Sequence, residues 1–172
     1  GSCFPKDCRA LIEIARRSGY NFYLLEGVMQ VNREQMELMV RKAEGMLGDL
    51  KGRRVAAWGL AFKAGTDDVR ESPAVEIARM LMERGAEVVA YDPQAMDNAR
   101  RALPLLECAD NPLEAARGAE LLVILTDWEE FKFADFRAVG EAMREKKILD
   151  TRNCLEPISV RRLGFEYQGV GR

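Results

Sequence analysis

Histidine is absent from all 172 residues, which removes the commonest general base and excludes Ser-His or Cys-His catalysis within this chain. Proton transfer falls to Asp, Glu, Lys or water. No apolar run reaches membrane-spanning length and no signal-peptide pattern precedes the first helix, so a cytoplasmic protein without a membrane partner is expected. A broad field of one sign is lacking too. Lysine plus arginine number 26 against 28 aspartate plus glutamate, a net charge of −2 with the signs interleaved. That balance gives no electrostatic footprint for nucleic acid. The four cysteines have neither CxxC spacing nor neighbouring histidines; they read as reduced thiols, and no metal site is expected. Neither GxGxxG nor a P-loop follows the first strand candidate, which disfavours NAD or ATP binding by those devices.

At this length the chain can form one large domain, or one domain plus an accessory element. Leu11, Ile12, Ile14 and Ala15 predict a short amphipathic helix over 5–17, started by Pro5 and ended by Ser18-Gly19. A longer helix is expected over about 21–47, where Leu24, Leu25, Val28, Val31, Leu38 and Met39 recur at threes and fours and four further Met and Leu residues widen the stripe. So wide a stripe needs more partner surface than the first helix offers. It reads as a packing spine between subunits or domains. After the break at 48–52, strands are expected at 54–58, 87–91, 105–108, 121–125, 147–149 and 165–168. They alternate with helices at 73–84, 96–102, 112–117 and 129–143. This alternation predicts an α/β, Rossmann-like, mostly parallel sheet with helices on both faces, preceded by a helical segment. The expected domains are 1–50 and 51–172.

Ligands of such sheets bind at the carboxyl ends of the strands. The exits read Gly59-Leu60-Ala61-Phe62-Lys63, Asp92-Pro93, Thr126-Asp127-Trp128 and Asp150-Thr151-Arg152-Asn153. In the long first connection, Lys63 and Arg70 can meet diphosphate oxygens while Ser72 caps the helix at Pro73, or the loop is stitched by its own Asp-Arg pairs. Asp92 stands where dinucleotide folds set a carboxylate against a ribose, and where a cap or a turn with Pro93 would also use one. Thr126-Asp127-Trp128 reads as a cap for the helix near Glu129. Arg152 can reach an anionic ligand or pair with Asp150. At the other end of the chain, Cys3 precedes Pro5 at a helix start, where free N–H groups, the helix dipole and Lys6 favour a thiolate. The alternative is an incidental exposed thiol. Cys8, Cys108 and Cys154 lack such a setting and are assigned to packing.

Taken together, Gly1-Ser2-Cys3-Phe4-Pro5-Lys6-Asp7, Gly59-Leu60-Ala61-Phe62-Lys63, Thr66-Asp67-Asp68-Val69-Arg70-Glu71-Ser72-Pro73, Tyr91-Asp92-Pro93 and Gly169-Val170-Gly171-Arg172 resemble the UDP-glucose 6-dehydrogenases. The resemblance covers the whole chain, in order, but only the back part of that family: the catalytic-cysteine segment, the central helices and the UDP-binding domain. The family's N-terminal NAD-binding domain, and a lysine and a glutamate used in catalysis, have no counterpart here. The resemblance implies oxidation of UDP-glucose to UDP-glucuronate with NAD in two hydride transfers, with Cys3 as nucleophile, Asp7 positioning the hydrolytic water and Lys6 near the cofactor and the nascent oxyanion. It implies Phe62, Lys63 and Arg152 as UDP-sugar contacts, Arg70, with Cys3 and Lys6, as cofactor contacts, and a homodimer through the long helix. A fragment of this extent is expected to be inactive alone. Cys8 stands where the family often has threonine, one turn from Cys3. Sibling enzymes of GDP-mannose or UDP-N-acetyl sugars share much of this wording, and a non-catalytic nucleotide-sugar-binding or dimerisation module is the remaining alternative.

Overall fold

The computed structural model of the chain describes residues 3–171, with Cys3 described by its backbone alone. Helix α1 runs Cys3–Arg17, so among the described residues Pro5 lies inside the helix rather than at its first position. The helix ends on Gly19 in the left-handed conformation (φ 75°), with Gly19 N–H donating to Arg16 and Tyr20 N–H to Ala15, the paired bonds of a Schellman stop.

Helix α2, Tyr23–Leu47, divides along its length. Its second half buries Met39, Val40, Ala43, Met46 and Leu47. Its polar groups tie it down there: Lys147 Nζ donates to Met46 O at 2.8 Å, and Arg84 pairs with Glu44 at 2.9 Å. Its first half leaves Tyr23, Leu24, Val28 and Val31 exposed, and α1 does the same with Phe4, Leu11 and Ile14.

The strands β1 Arg54–Trp58, β2 Glu87–Tyr91, β3 Glu107–Cys108, β4 Leu121–Ile124, β5 Lys147–Asp150 and β6 Glu166–Gly169 form one sheet in the order β3-β2-β1-β4-β5-β6. Every pairing is parallel. Ala57 of β1 lies between Ala90 and Val123, and Trp58 between Tyr91 and Ile124. Near-continuous apolar strands of this kind need cover on both faces. Helix α3, Pro73–Glu83, packs with α2; α5, Pro112–Ala116, packs against β1 and β2 together with α7, Phe136–Ala142. Trp58, fully buried, packs with its ring tilted against those of Phe131 and Phe136 and donates its indole N–H to Pro112 O at 3.0 Å.

Three helices start on a polar cap followed by proline. Ser72 caps α3, Asn111 caps α5 and Glu156 caps α8, Pro157–Arg162. The last of these is an element the sequence reading lacked. The helix expected over 129–143 is two, α6 Glu129–Lys132 and α7, because Asp135 accepts from Arg137 and Ala138 N–H and starts a new helix there. The short helix α4, Met96–Ala102, precedes β3. Among the described residues no helix is long and apolar enough to cross a membrane.

Candidate functional site

Strand order reverses beside β1, so the exits of β1, β4 and β5 converge at the switch point of the sheet. Gly59 makes that convergence possible. Its φ is 94°, and a Cβ there would lie 2.4 Å from Thr126 Cβ. Thr126, buried, donates its hydroxyl to Ala61 O at 2.7 Å, and Ser72 donates to Leu60 O at 2.8 Å. The first loop is thus stitched to β4 and to the start of α3.

Two buried carboxylates hold the exits. Asp92 Oδ2 accepts from Leu60 N–H, Ala61 N–H and Trp128 Nε1–H at 2.7, 2.9 and 3.0 Å, while Oδ1 accepts from Gln94 and Ala95 N–H at 2.9 and 2.8 Å. With five donors and no exposed surface, Asp92 turns the chain and has nothing left for a ribose. Asp150 does the same for β5: Oδ2 accepts from Leu155 N–H and Tyr167 O–H, and Oδ1 from Arg152 N–H at 3.0 Å. The Arg152 guanidinium pairs instead with Asp127 at 3.4 Å. Asp150 therefore shapes the loop that presents Arg152 and is not its ion-pair partner. Thr126-Asp127-Trp128 is no cap either, since α6 starts without a side-chain cap bond; each of the three points to a different neighbouring loop.

The remaining candidates stand at the surface. Lys63 is exposed and Phe62 half-buried, with Phe62 N–H donating to Asp68 O at 2.8 Å to close the loop. Arg70 grips Asp68 through two side-chain bonds of 3.0 and 2.9 Å and donates its own N–H to Asp68 as well. Those bonds hold the Asp68 carboxyl down at about 2. The stitching read from the sequence is present at Asp68 and Arg70, and Lys63 stands outside it. On α1, Lys6 and Asp7 are exposed; the Cys3 side chain, the nucleophile of the sequence reading, lies outside the described residues. Cys8 is buried. Burial pushes the Cys108 thiol up, and burial with the Asp150 charge pushes Cys154 up to about 12, which keeps both protonated and suits packing roles.

Three clefts surround this arrangement. One of about 200 Å³ is lined by Thr151, Arg152 and Leu125 from the exits, by Pro73 and Ala74 of α3, and by Asn32 and Gln35 of α2. A second, of about 390 Å³, lies between Pro5 and Arg9 of α1, Asn32 of α2, and Glu71 and Ser72. The third, about 650 Å³, runs along Asp68 and Arg70 to Asn98 and Arg101 of α4. The sequence reading missed Asn32, Gln35 and Arg9, because α2 and α1 show helical periodicity but not which turn meets the sheet. Among the described residues no group of acidic or cysteine side chains is arranged to hold a metal.

Residues 56–157 match the UDP-binding domain of the UDP-glucose/GDP-mannose dehydrogenase family, and residues 1–34 match its central domain. The chain belongs to this family. It is 40% identical over its whole length to the UDP-glucose 6-dehydrogenase of Rhizobium meliloti and 42% identical to that of Pseudomonas aeruginosa, spanning 40% of each. Among solved structures, a UDP-glucose dehydrogenase from Pyrobaculum islandicum superposes with a TM-score of 0.82 at 36% identity, over 99% of this chain and 37% of that one. A GDP-mannose dehydrogenase from Pseudomonas aeruginosa superposes with 0.75 at 27% identity, over all of this chain and 39% of that one. The all-parallel sheet, with its reversal beside β1, is thus the nucleotide-binding unit of a dehydrogenase family, and the chain spans about two fifths of the length of the curated relatives it matches.

Proposed function

We propose that this chain is the C-terminal part of an NAD-dependent UDP-glucose 6-dehydrogenase, with residues 1–50 as the nucleophile segment and dimerisation helices and 51–172 as the UDP-sugar-binding domain. The observation that carries the reading is the cleft at the β4 and β5 exits, where Arg152, held by Asp150 through its own backbone, faces the first turn of α3. A guanidinium at a strand exit beside a helix N-terminus suits a diphosphate. Lys63 and Phe62, on the neighbouring exit, do not line that cleft; by the family resemblance they would add a second cation and an aromatic face.

The residues present fit one edge of a dinucleotide rather than its whole length. Arg70 is exposed and forked, whereas Asp92, at the usual ribose position, has no free lone pair to offer. NAD, held mainly by a domain outside this chain, supplies the acceptor for the two hydrides leaving C6 of the sugar. Of the residues in this chain, Arg70 would contact it, as the family resemblance implies. Cys3 adds as thiolate to the C6 aldehyde; the thiohemiacetal becomes a thioester on the second oxidation, and water cleaves it to carboxylate and free thiolate. Asp7 orients that water and Lys6 steadies the oxyanion. The apolar residues left exposed on α1 and on the first half of α2 support burial against a second copy.

Calorimetric titration with UDP, GDP, UDP-glucose and UDP-N-acetylglucosamine tests the reading. UDP is expected to bind more tightly than GDP. Lys63→Ala and Arg152→Ala are each expected to weaken UDP by about tenfold or more, as loss of a charge-assisted hydrogen bond implies. Tighter binding of GDP overturns the choice of base, and NADH production by this chain alone overturns its inactivity as a fragment.

A further inference from the structure

Arg9, on the helix that begins at Cys3, reaches a residue 62 positions away. Its two terminal nitrogens meet the two Glu71 oxygens at 2.7 and 3.2 Å, a fork that constrains orientation as well as distance. Glu71 holds a φ of 54°. Among the described non-glycine residues only Asn153 shares that sign, and asparagine tolerates the left-handed region whereas glutamate is strained there. Glu71 and its neighbour Arg70 take different partners: Arg70 bonds Asp68, beside the cleft toward α4, and Glu71 bonds Arg9 of α1. Between α1 and the start of α3 lies the cleft of about 390 Å³, so the fork bridges a gap that apolar packing leaves open. Both partners are substantially exposed, and such a pair adds little to stability.

We propose that Arg9 and Glu71 form a positioning latch that sets the register between the helix carrying Cys3, Lys6 and Asp7 and the loop carrying Lys63 and Arg70. The latch rests on the proposed function for its catalytic consequence, though not for its mechanical one. The two residues act through their neighbours and touch no reacting atom.

Two measurements test it. In the 172-residue chain, amide hydrogen exchange over the first three turns of α1 is expected to speed up at least about fivefold in Arg9→Ala, while β1 and β4 stay unchanged, as for a local opening. Unchanged exchange in α1 overturns the latch whatever the enzyme oxidises. In the native-length enzyme, Arg9→Glu and Glu71→Arg are each expected to lower kcat about tenfold or more with KM for UDP-glucose within about twofold. The exchanged pair Arg9→Glu/Glu71→Arg restores most of it. Glu71→Gly relieves the strain, so it is expected to lose kcat like Glu71→Arg without lowering the thermal midpoint. Singles with full kcat, an exchanged pair no better than its parents, or a midpoint that falls in step with kcat overturns the proposal. An enzyme that turns over no UDP-glucose refutes the proposed function instead and leaves the exchange measurement to decide the latch.

Discussion

Replacing Asp92 by asparagine keeps its volume and exchanges one acceptor for a donor. The carboxylate takes three donors on Oδ2 and two on Oδ1. If the asparagine oxygen stays on the three-donor side, Gln94 and Ala95 N–H lose their acceptor and face an NH2 group with nowhere to donate. The Ala95 donor is buried and the Gln94 donor only part-buried on an exposed residue, so the first left unsatisfied costs about 1–3 kcal/mol and the second less, a sizeable share of the roughly 5–15 kcal/mol by which a domain is stable. Urea unfolding followed by circular dichroism is expected to show a loss of about 2 kcal/mol or more, at unchanged slope. Asp127→Asn, at a half-buried carboxylate with one long ion pair, serves as the control and is expected to change stability by about 1 kcal/mol or less. An Asp92→Asn protein of wild-type stability refutes the reasoning. If it also binds UDP weakly, Asp92 faces ligand after all.

Two further perturbations test the same loops. Gly59→Ala drives a Cβ to 2.4 Å from Thr126 Cβ at a φ of 94°, so about 3 kcal/mol or more is expected to be lost and the thermal midpoint to fall by about 6 °C or more; a midpoint within about 2 °C of wild type contradicts the close approach. Asp68 titrates at about 2 against an ordinary 3.8 because Arg70 bonds to its charged form, so its stabilising contribution is complete above the ordinary value and disappears as pH falls through about 2. Carboxyl NMR of Arg70→Ala is expected to move that midpoint up toward 3.8, and a midpoint near 3.8 in the unaltered chain contradicts the pairing.

The strands were legible because runs such as Val55-Ala56-Ala57 and Leu121-Leu122-Val123 are bounded by turn residues, and β1, β2 and α4 fall where patterning puts them. The break between α6 and α7 was not, because Phe131 and Phe136 continue an apolar rhythm across Asp135 and only the cap bonds reveal that the helix restarts. Helix α8 repeats the cap-proline signal of Ser72-Pro73 in Glu156-Pro157, but its brevity hid it. Side-chain destinations were harder still. The donors to Asp92 include Leu60, Ala61 and Trp128, residues 31 to 36 positions away. Arg152 chooses Asp127 over the nearer Asp150 because β4 and β5 are neighbours in the sheet. Those choices follow from strand order, which local pattern does not encode.

The site separates rigid carboxylates from replaceable ones. Asp92 and Asp150 are fully buried, each saturated by N–H, O–H or S–H donors from several segments, and removing either would leave several donors without acceptors. Asp68 and Asp127 do the opposite work. They hold Arg70 and Arg152 at the surface in pairs with bonds of 2.9 and 3.4 Å, and solvent-screened ion pairs of this kind contribute little to stability. On the proposed function, an anion that takes over either guanidinium, UDP at Arg152 or the cofactor at Arg70, displaces little stability while gaining charge-assisted bonds to a side chain already oriented. On that reading, affinity for an anion rests on this asymmetry, with loop shape fixed by buried carboxylates and binding left to arginines whose partners are easily exchanged.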